Sequence, residues 1–303
     1  MRVTLINSVS VLNTKKEETQ KLTEFENLES VSEILTELNR MIGLTDVKEM
    51  VVEMYALAQI FKKRVQEKLK TNNISWHMIF KGNPGTGKTT VARIIGRLFK
   101  EIGLLSKGHM VEVERADLVG EYIGHTALKT REQIKKAVGG ILFVDEAYSL
   151  ARGGEKDFGR EAIDVIVKAS EDYRDNLIII LAGYFEEMNY LLEQNPGLKS
   201  RFPIEITFPD YSEEELFQIA EKFMEDWEYR FSPEASFYLK HKLNLLDKNK
   251  KSSGNARLVR NIIEKAIRRQ AVRLLGKNKV TKDDLLLLEK EDLEKAFYGL
   301  NLE

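Results

Sequence analysis

Cysteine is absent from the 303 residues, which excludes a disulfide scaffold, a thiolate zinc site and a cysteine nucleophile, and suits a reducing compartment. With only four scattered histidines, a histidine metal cage has nothing to build on. Net charge is almost absent too. Lys and Arg number 47 against 48 Asp and Glu, so no overall field draws the chain to nucleic acid or an anionic membrane. The longest apolar run, Leu177 to Ala182, is far below the ~20 residues that span a bilayer. The N-terminal stretch is interrupted by Asn7, Ser8, Ser10 and Asn13, unlike a signal peptide. Prolines number only five, and the sequence contains no low-complexity tract and no repeat of solenoid period. These absences leave a globular, cytoplasmic chain without membrane insertion, long enough for about two domains.

What is present changes texture along the chain. Residues 15 to 40 are charge-rich, with Leu28, Val31, Leu35 and Leu38 at helical intervals, and a second stripe of Val47, Val51, Met54, Leu57, Ala58 and Phe61 predicts a helix from about 47 to 69. From Met78 short apolar runs alternate with helical periods, the pattern of a parallel α/β sheet. Strands are expected at 78–81, 110–113, 141–145, 177–182 and 204–208, and helices at 88–101, 127–137, 160–173 and 185–194. ILFV and LIIILA are apolar throughout, as strands buried on both faces must be. After Pro209 no further strand is expected, and helices read at 212–228, 233–245, 255–274 and 281–297, with DKNKKSSGN a loop between them. Ser212 before three glutamates is a helix start. The expected organisation is an N-terminal helical extension (1–40), an α/β nucleotide-binding domain (41–209) and an all-helical lid (210–303).

GNPGTGKT, Gly82 to Thr89, fits the phosphate-loop pattern G-x-x-x-x-G-K-[ST], and it follows a strand and opens a helix, where backbone N–H groups and the helix dipole converge on phosphate oxygens. Its residues Gly82, Asn83, Pro84, Gly85, Thr86, Gly87, Lys88 and Thr89, with Thr90 next, are the candidate cradle. Gly85 and Gly87 permit close backbone approach, Lys88 reaches the β and γ phosphates, and the Thr89 hydroxyl is a ligand for Mg²⁺. Asp145, ending the buried strand ILFVD, is the second candidate metal residue, and Glu146 beside it is placed to polarise an attacking water. A solvated strand end is the competing reading of Asp145 and Glu146.

Together with DLVGEYIGHTA at 117, LAGY at 181, NPGLKSRFP around Pro196, FPDYS at 208 and GNARLVRN at 254, these motifs resemble the AAA+ ATPases. The resemblance is to the CbbX/CfxQ branch, which holds the red-type Rubisco activases and a sporulation ATPase, and it spans about residues 40 to 300. It implies a P-loop NTPase sheet followed by a helical lid, an ATP and Mg²⁺ requirement, a homo-oligomeric, hexameric ring and a protein client to remodel, with sporulation as the setting. It implies that Ile42 and Gly43 pack on adenine, that Arg201 is an arginine finger reaching a neighbour's site, and that Arg257 is the sensor-2 arginine. Tyr122, Ile123 and Gly124 match the pore loop, although a tyrosine flanked by glycines also reads as a loop anchor. Where many relatives carry a polar sensor 1, this chain has Gly183 and Tyr184.

Between Lys248 and Lys282, twelve Lys or Arg face the single acid Glu264. The apolar face Val259, Ile262, Ile263, Ala266 and Ile267, without interleaved aromatics, favours a solvated lid helix over nucleic-acid binding. A Rubisco-activase-like remodeller, a nucleic-acid-linked motor and a nucleotide-switched scaffold with little hydrolysis remain as alternatives.

Overall fold

The computed structural model describes residues 28–71, 74–122, 124–152, 157–245 and 254–298. The strands are β1 Met78–Gly82, β2 Met110–Val113, β3 Ile141–Val144, β4 Ile178–Gly183, β5 Ile204–Phe208, β6 Arg230–Phe231 and β7 Leu287–Leu288. The helices before and within the sheet region are α1 Leu28–Asn39, α2 Thr45–Gln66, α3 Lys88–Glu101, α4 Arg115–Leu118, α5 His125–Ala137, α6 Gly159–Asp172, α7 Phe185–Gln194 and α8 Pro196–Arg201. Those after it are α9 Glu213–Asp226, α10 Pro233–Asn244, α11 Asn255–Leu275, α12 Lys282–Leu286 and α13 Lys290–Phe297.

β1 to β5 form one parallel sheet in the order β2-β3-β4-β1-β5. Every residue of β1, β3 and β4 is buried, because helices cover both faces. Phe80, Phe143 and Ile180 meet α1, α2 and α3 on one face; Ile79, Leu142 and Ile179 meet α5, α6 and α7 on the other. The edge strand β5 alternates instead, burying Ile206 and Phe208 while Glu205 and Thr207 face out. α1 buries Val31, Ile34 and Leu38 in the first of these cores; residues 1–27 of the expected extension lie outside the described residues. Among the described residues no helix is long and apolar enough to cross a membrane.

Beyond the sheet, α9, α10, α11 and α13 close around a separate core of Leu216, Leu239, Val259, Ile262 and Leu293. Ser212 caps α9, its Oγ accepting from Glu215 N at 3.2 Å while the Glu215 carboxylate accepts from Ser212 N at 2.8 Å. The expectation of no strand after Pro209 is corrected here: β6 and β7 pair in parallel, and they split the expected helix 281–297 into α12 and α13. Extended backbone at Leu287 and Leu288 buries Leu288 completely. It also turns the carbonyls of Asp284, Leu285 and Leu287 to the Gln270 amide, at 3.0, 3.1 and 2.9 Å.

Candidate active site

The carboxyl ends of β1, β3 and β4 open on one cavity of about 580 Å³, within the size range of ligand pockets. At the end of β1 the chain turns through Gly85 (φ +73°) and Gly87 (φ +97°), left-handed conformations that glycine adopts without strain, and α3 begins at Lys88. The Lys88 ammonium folds back and donates to the carbonyls of Gly82 and Asn83, both at 2.7 Å. The buried Thr86 hydroxyl donates to Asn83 O at 2.8 Å. Burial holds the Lys88 ammonium below the ordinary lysine range and Arg257 adds to the effect, while Asp145 and Asp210 oppose it. A polyanion entering the cavity would add to the counter-charge that Asp145 and Asp210 give this lysine.

β3 delivers Asp145, whose N–H donates to Val113 O at 2.9 Å and whose Oδ1 accepts from Glu146 N at 2.9 Å. Glu146 is exposed and sits at φ +47°, a left-handed conformation uncommon outside glycine. Tyr148 lies beside it, and burial first, then the Glu146 charge, pushes that phenol well above its ordinary range. Tyr148 lines the cavity beside the candidate base, a neighbour that sequence reasoning missed. The Tyr148 ring lies 5.6 Å from Tyr184 and beneath Arg152. A Cβ on Gly183 would meet the Tyr148 ring at 2.6 Å and Met188 Sδ at 2.8 Å; a larger residue at the end of β4 therefore has no room. Gly183 and Tyr184 both line the cavity.

Arg257 projects into the same cavity from the first turn of α11. Lid and loop touch directly: Ala256 N donates to Gly85 O at 3.2 Å, and Tyr211 Oη donates to Thr86 O at 3.3 Å. Burial, with Glu215 nearby, raises the Tyr211 phenol to about 12. Thr89 and Thr90 line the cavity beside Lys88, and Asp145 and Glu146 are its only carboxylates among the described residues. A hydroxyl and a carboxylate are oxygen donors that suit a hard divalent cation held partly by phosphate and water.

The remaining expected residues lie elsewhere. Ile42 packs on the lid core, and Gly43 abuts Glu215 and Tyr211, so both lie where the segment ahead of the phosphate loop meets the lid. Arg201, ending α8, pairs with Glu171 at 2.8 Å and donates to Gly197 O at 3.3 Å, and it does not line the cavity. Tyr122 is 65% exposed and meets His125 edge-on, ring centroids 5.5 Å apart. Gly124 begins α5 at φ +83°, and Ile123 lies outside the described residues. In the basic tract, Lys248, Lys250 and Lys251 lie outside them too. Arg260, Arg273 and Lys277 form ion pairs with acids of their own chain.

Residues 78–210 match the family model for the ATPase family associated with various cellular activities (AAA), and residues 212–301 match the AAA lid domain. The chain is 54% identical to stage V sporulation protein K of Bacillus subtilis (strain 168), over 87% of this chain and 82% of that protein. It is 47% identical to protein CbbX of Cereibacter sphaeroides, over 80% and 79%. Among solved structures, the FIGL-1 AAA domain in complex with ADP shares the fold at a TM-score of 0.60 and 18% identity, over 86% of this chain and 83% of that one.

Proposed function

The chain belongs to the AAA+ ATPases, and from that premise we propose that it is a ring-forming ATPase that hydrolyses ATP to ADP and phosphate in order to remodel a protein client. The observation that carries this reading is the convergence of Lys88, Thr89, Asp145, Glu146 and Arg257 on one cavity. In it the loop amides and Lys88 bind the phosphate chain. Thr89 and Asp145 would hold Mg²⁺, which supplies charge neutralisation at the phosphates. Glu146 accepts a proton from the attacking water. Arg257 carries the state of the γ-phosphate to the lid.

The domain division at Pro209 belongs to this proposal, as do a cytoplasmic setting and a role in sporulation, the last resting on the name of the B. subtilis relative. Assembly as a hexamer would bring Arg201 to a neighbour's γ-phosphate and Tyr122, with Ile123 and Gly124, to a central pore. An arginine against a transferring phosphoryl group contributes about 10³ to 10⁵ in rate. Arg201→Ala and Lys88→Ala are therefore each inactive alone. Mixed, a Lys88→Ala subunit lends its arginine to an intact neighbouring pocket, and phosphate release reappears with a maximum at intermediate ratios. No recovery in any mixture, with subunit exchange verified by labelled chains, refutes the shared site.

A further inference from the structure

Asn255, the first residue of α11, is fully buried and held at φ +47°. Asparagine is among the few side-chain-bearing residues that tolerate this conformation, yet glycine would adopt it more cheaply. The carboxamide explains the choice. Its Nδ2 donates to Asp210 Oδ1 at 2.7 Å and to Pro84 O at 3.2 Å, and its Oδ1 accepts from Tyr211 N at 3.0 Å. Asp210 reaches the phosphate loop as well, accepting from Asn83 Nδ2 at 3.0 and 2.8 Å. One buried side chain therefore ties together the loop at Pro84, the strand-to-lid connection at Asp210 and Tyr211, and the lid helix. Arg257 follows two residues later on the same helical turn, so the bracket leaves it little slack. An aspartate at 255 would set two carboxylates against each other, and alanine would lose all three hydrogen bonds.

We propose that Asn255 and Asp210 are positioning residues for turnover: a carboxamide–carboxylate bracket that fixes the lid helix to the phosphate loop and thereby sets where the Arg257 guanidinium meets the transferring phosphate. This rests on the ATPase reading of the site. Neither residue touches the reacting atoms, so the bracket affects kcat through Arg257 and leaves capture of the diphosphate by Lys88 largely alone. A misplacement of about 1 Å at such a group costs up to about 10²-fold in rate.

The test compares steady-state kcat and ADP affinity in Asn255→Gly, Asp210→Asn and Arg257→Ala, and in the double variant Asn255→Gly/Arg257→Ala. Glycine keeps the left-handed backbone and removes only the carboxamide, and Asp210→Asn is a second, size-preserving variant whose melting temperature controls for folding. Asn255→Gly is expected to lower kcat about 10- to 100-fold while the ADP dissociation constant changes less than about threefold. In the Arg257→Ala background the same substitution is expected to lower kcat by less than about twofold, because the residue it positions is already gone. A wild-type kcat in Asn255→Gly, or a full multiplicative loss in the double variant, overturns the bracket. A wild-type kcat in Arg257→Ala instead refutes the reading of Arg257 itself, and the purpose of the bracket falls with it.

Discussion

Gly85→Ala drives a wedge between the phosphate loop and the lid, and its size follows from the geometry of the contact. A Cβ at Gly85 would lie 2.3 Å from Gly254 O and 2.9 Å from Arg257 N, so the lid helix must retreat by about 1.1 Å before ordinary contact at about 3.4 Å is restored. Retreat stretches the Ala256 N to Gly85 O bond, already 3.2 Å, past useful length. The backbone adds its own cost, since φ is +73° and a left-handed L residue is disfavoured by about 1–2 kcal/mol. Gly103 separates the two effects, because its φ is +77° and a methyl added there would meet nothing within 4 Å. Gly103→Ala should therefore show the backbone cost alone, a fall in Tm of a few degrees at about 2–4 °C per kcal/mol, with ADP affinity unchanged. Gly85→Ala should show a similar or larger fall and bind ADP at least about tenfold more weakly, read by calorimetric titration. Equal ADP affinity in the two variants would refute the claim that a methyl at Gly85, wedged against the lid, distorts the phosphate loop itself.

Three further outcomes follow from the packing. His77 Nδ1 accepts from Ile179 N at 3.0 Å, and burial holds the imidazole below its usual 6.5. The unfolded chain therefore takes up a proton first, and stability complete above about pH 6.5 is lost as pH falls toward the folded value; His77→Gln should flatten the acid limb of Tm against pH, and an unchanged limb contradicts this. Arg273 grips the buried Asp292 through two bonds of 3.0 and 2.8 Å, so Arg273→Ala should cost about 3 kcal/mol in urea unfolding, and a loss under about 1 kcal/mol would show the carboxylate is satisfied without it. Glu171→Gln frees Arg201 from an ion pair with an exposed partner worth about 0–1 kcal/mol, which should lower the protein concentration giving half-maximal ATPase by up to about fivefold; a higher concentration would mean that Glu171 positions the arginine and does not restrain it.

The central strands were legible because burial on both faces leaves an uninterrupted apolar run, as in Ile141–Val144 and Ile178–Ala182. That Lys88, Thr89, Asp145 and Glu146 meet at one cavity was legible because they stand in contiguous motifs at the ends of those strands. What escaped depends on contacts distant in sequence. Gly183 reads as a missing sensor until the Tyr148 ring is seen against it, and Asn255 meets Asp210 only after the lid folds over the loop. The Leu285–Leu288 run has helical composition, and only the Gln270 amide and the partner strand β6 draw Leu287 and Leu288 into extended backbone.

The claim that phosphate recognition and water activation reside in different residues of one cavity is tested most directly by measuring ATP binding and phosphate release together in Lys88→Ala and Glu146→Gln. Lys88 is bonded into the loop, and Glu146 lines the same cavity beside Tyr148. Lys88→Ala is expected to abolish binding, whereas Glu146→Gln binds ATP like the wild type and releases no phosphate. A wild-type rate of phosphate release in Glu146→Gln would contradict that division of roles.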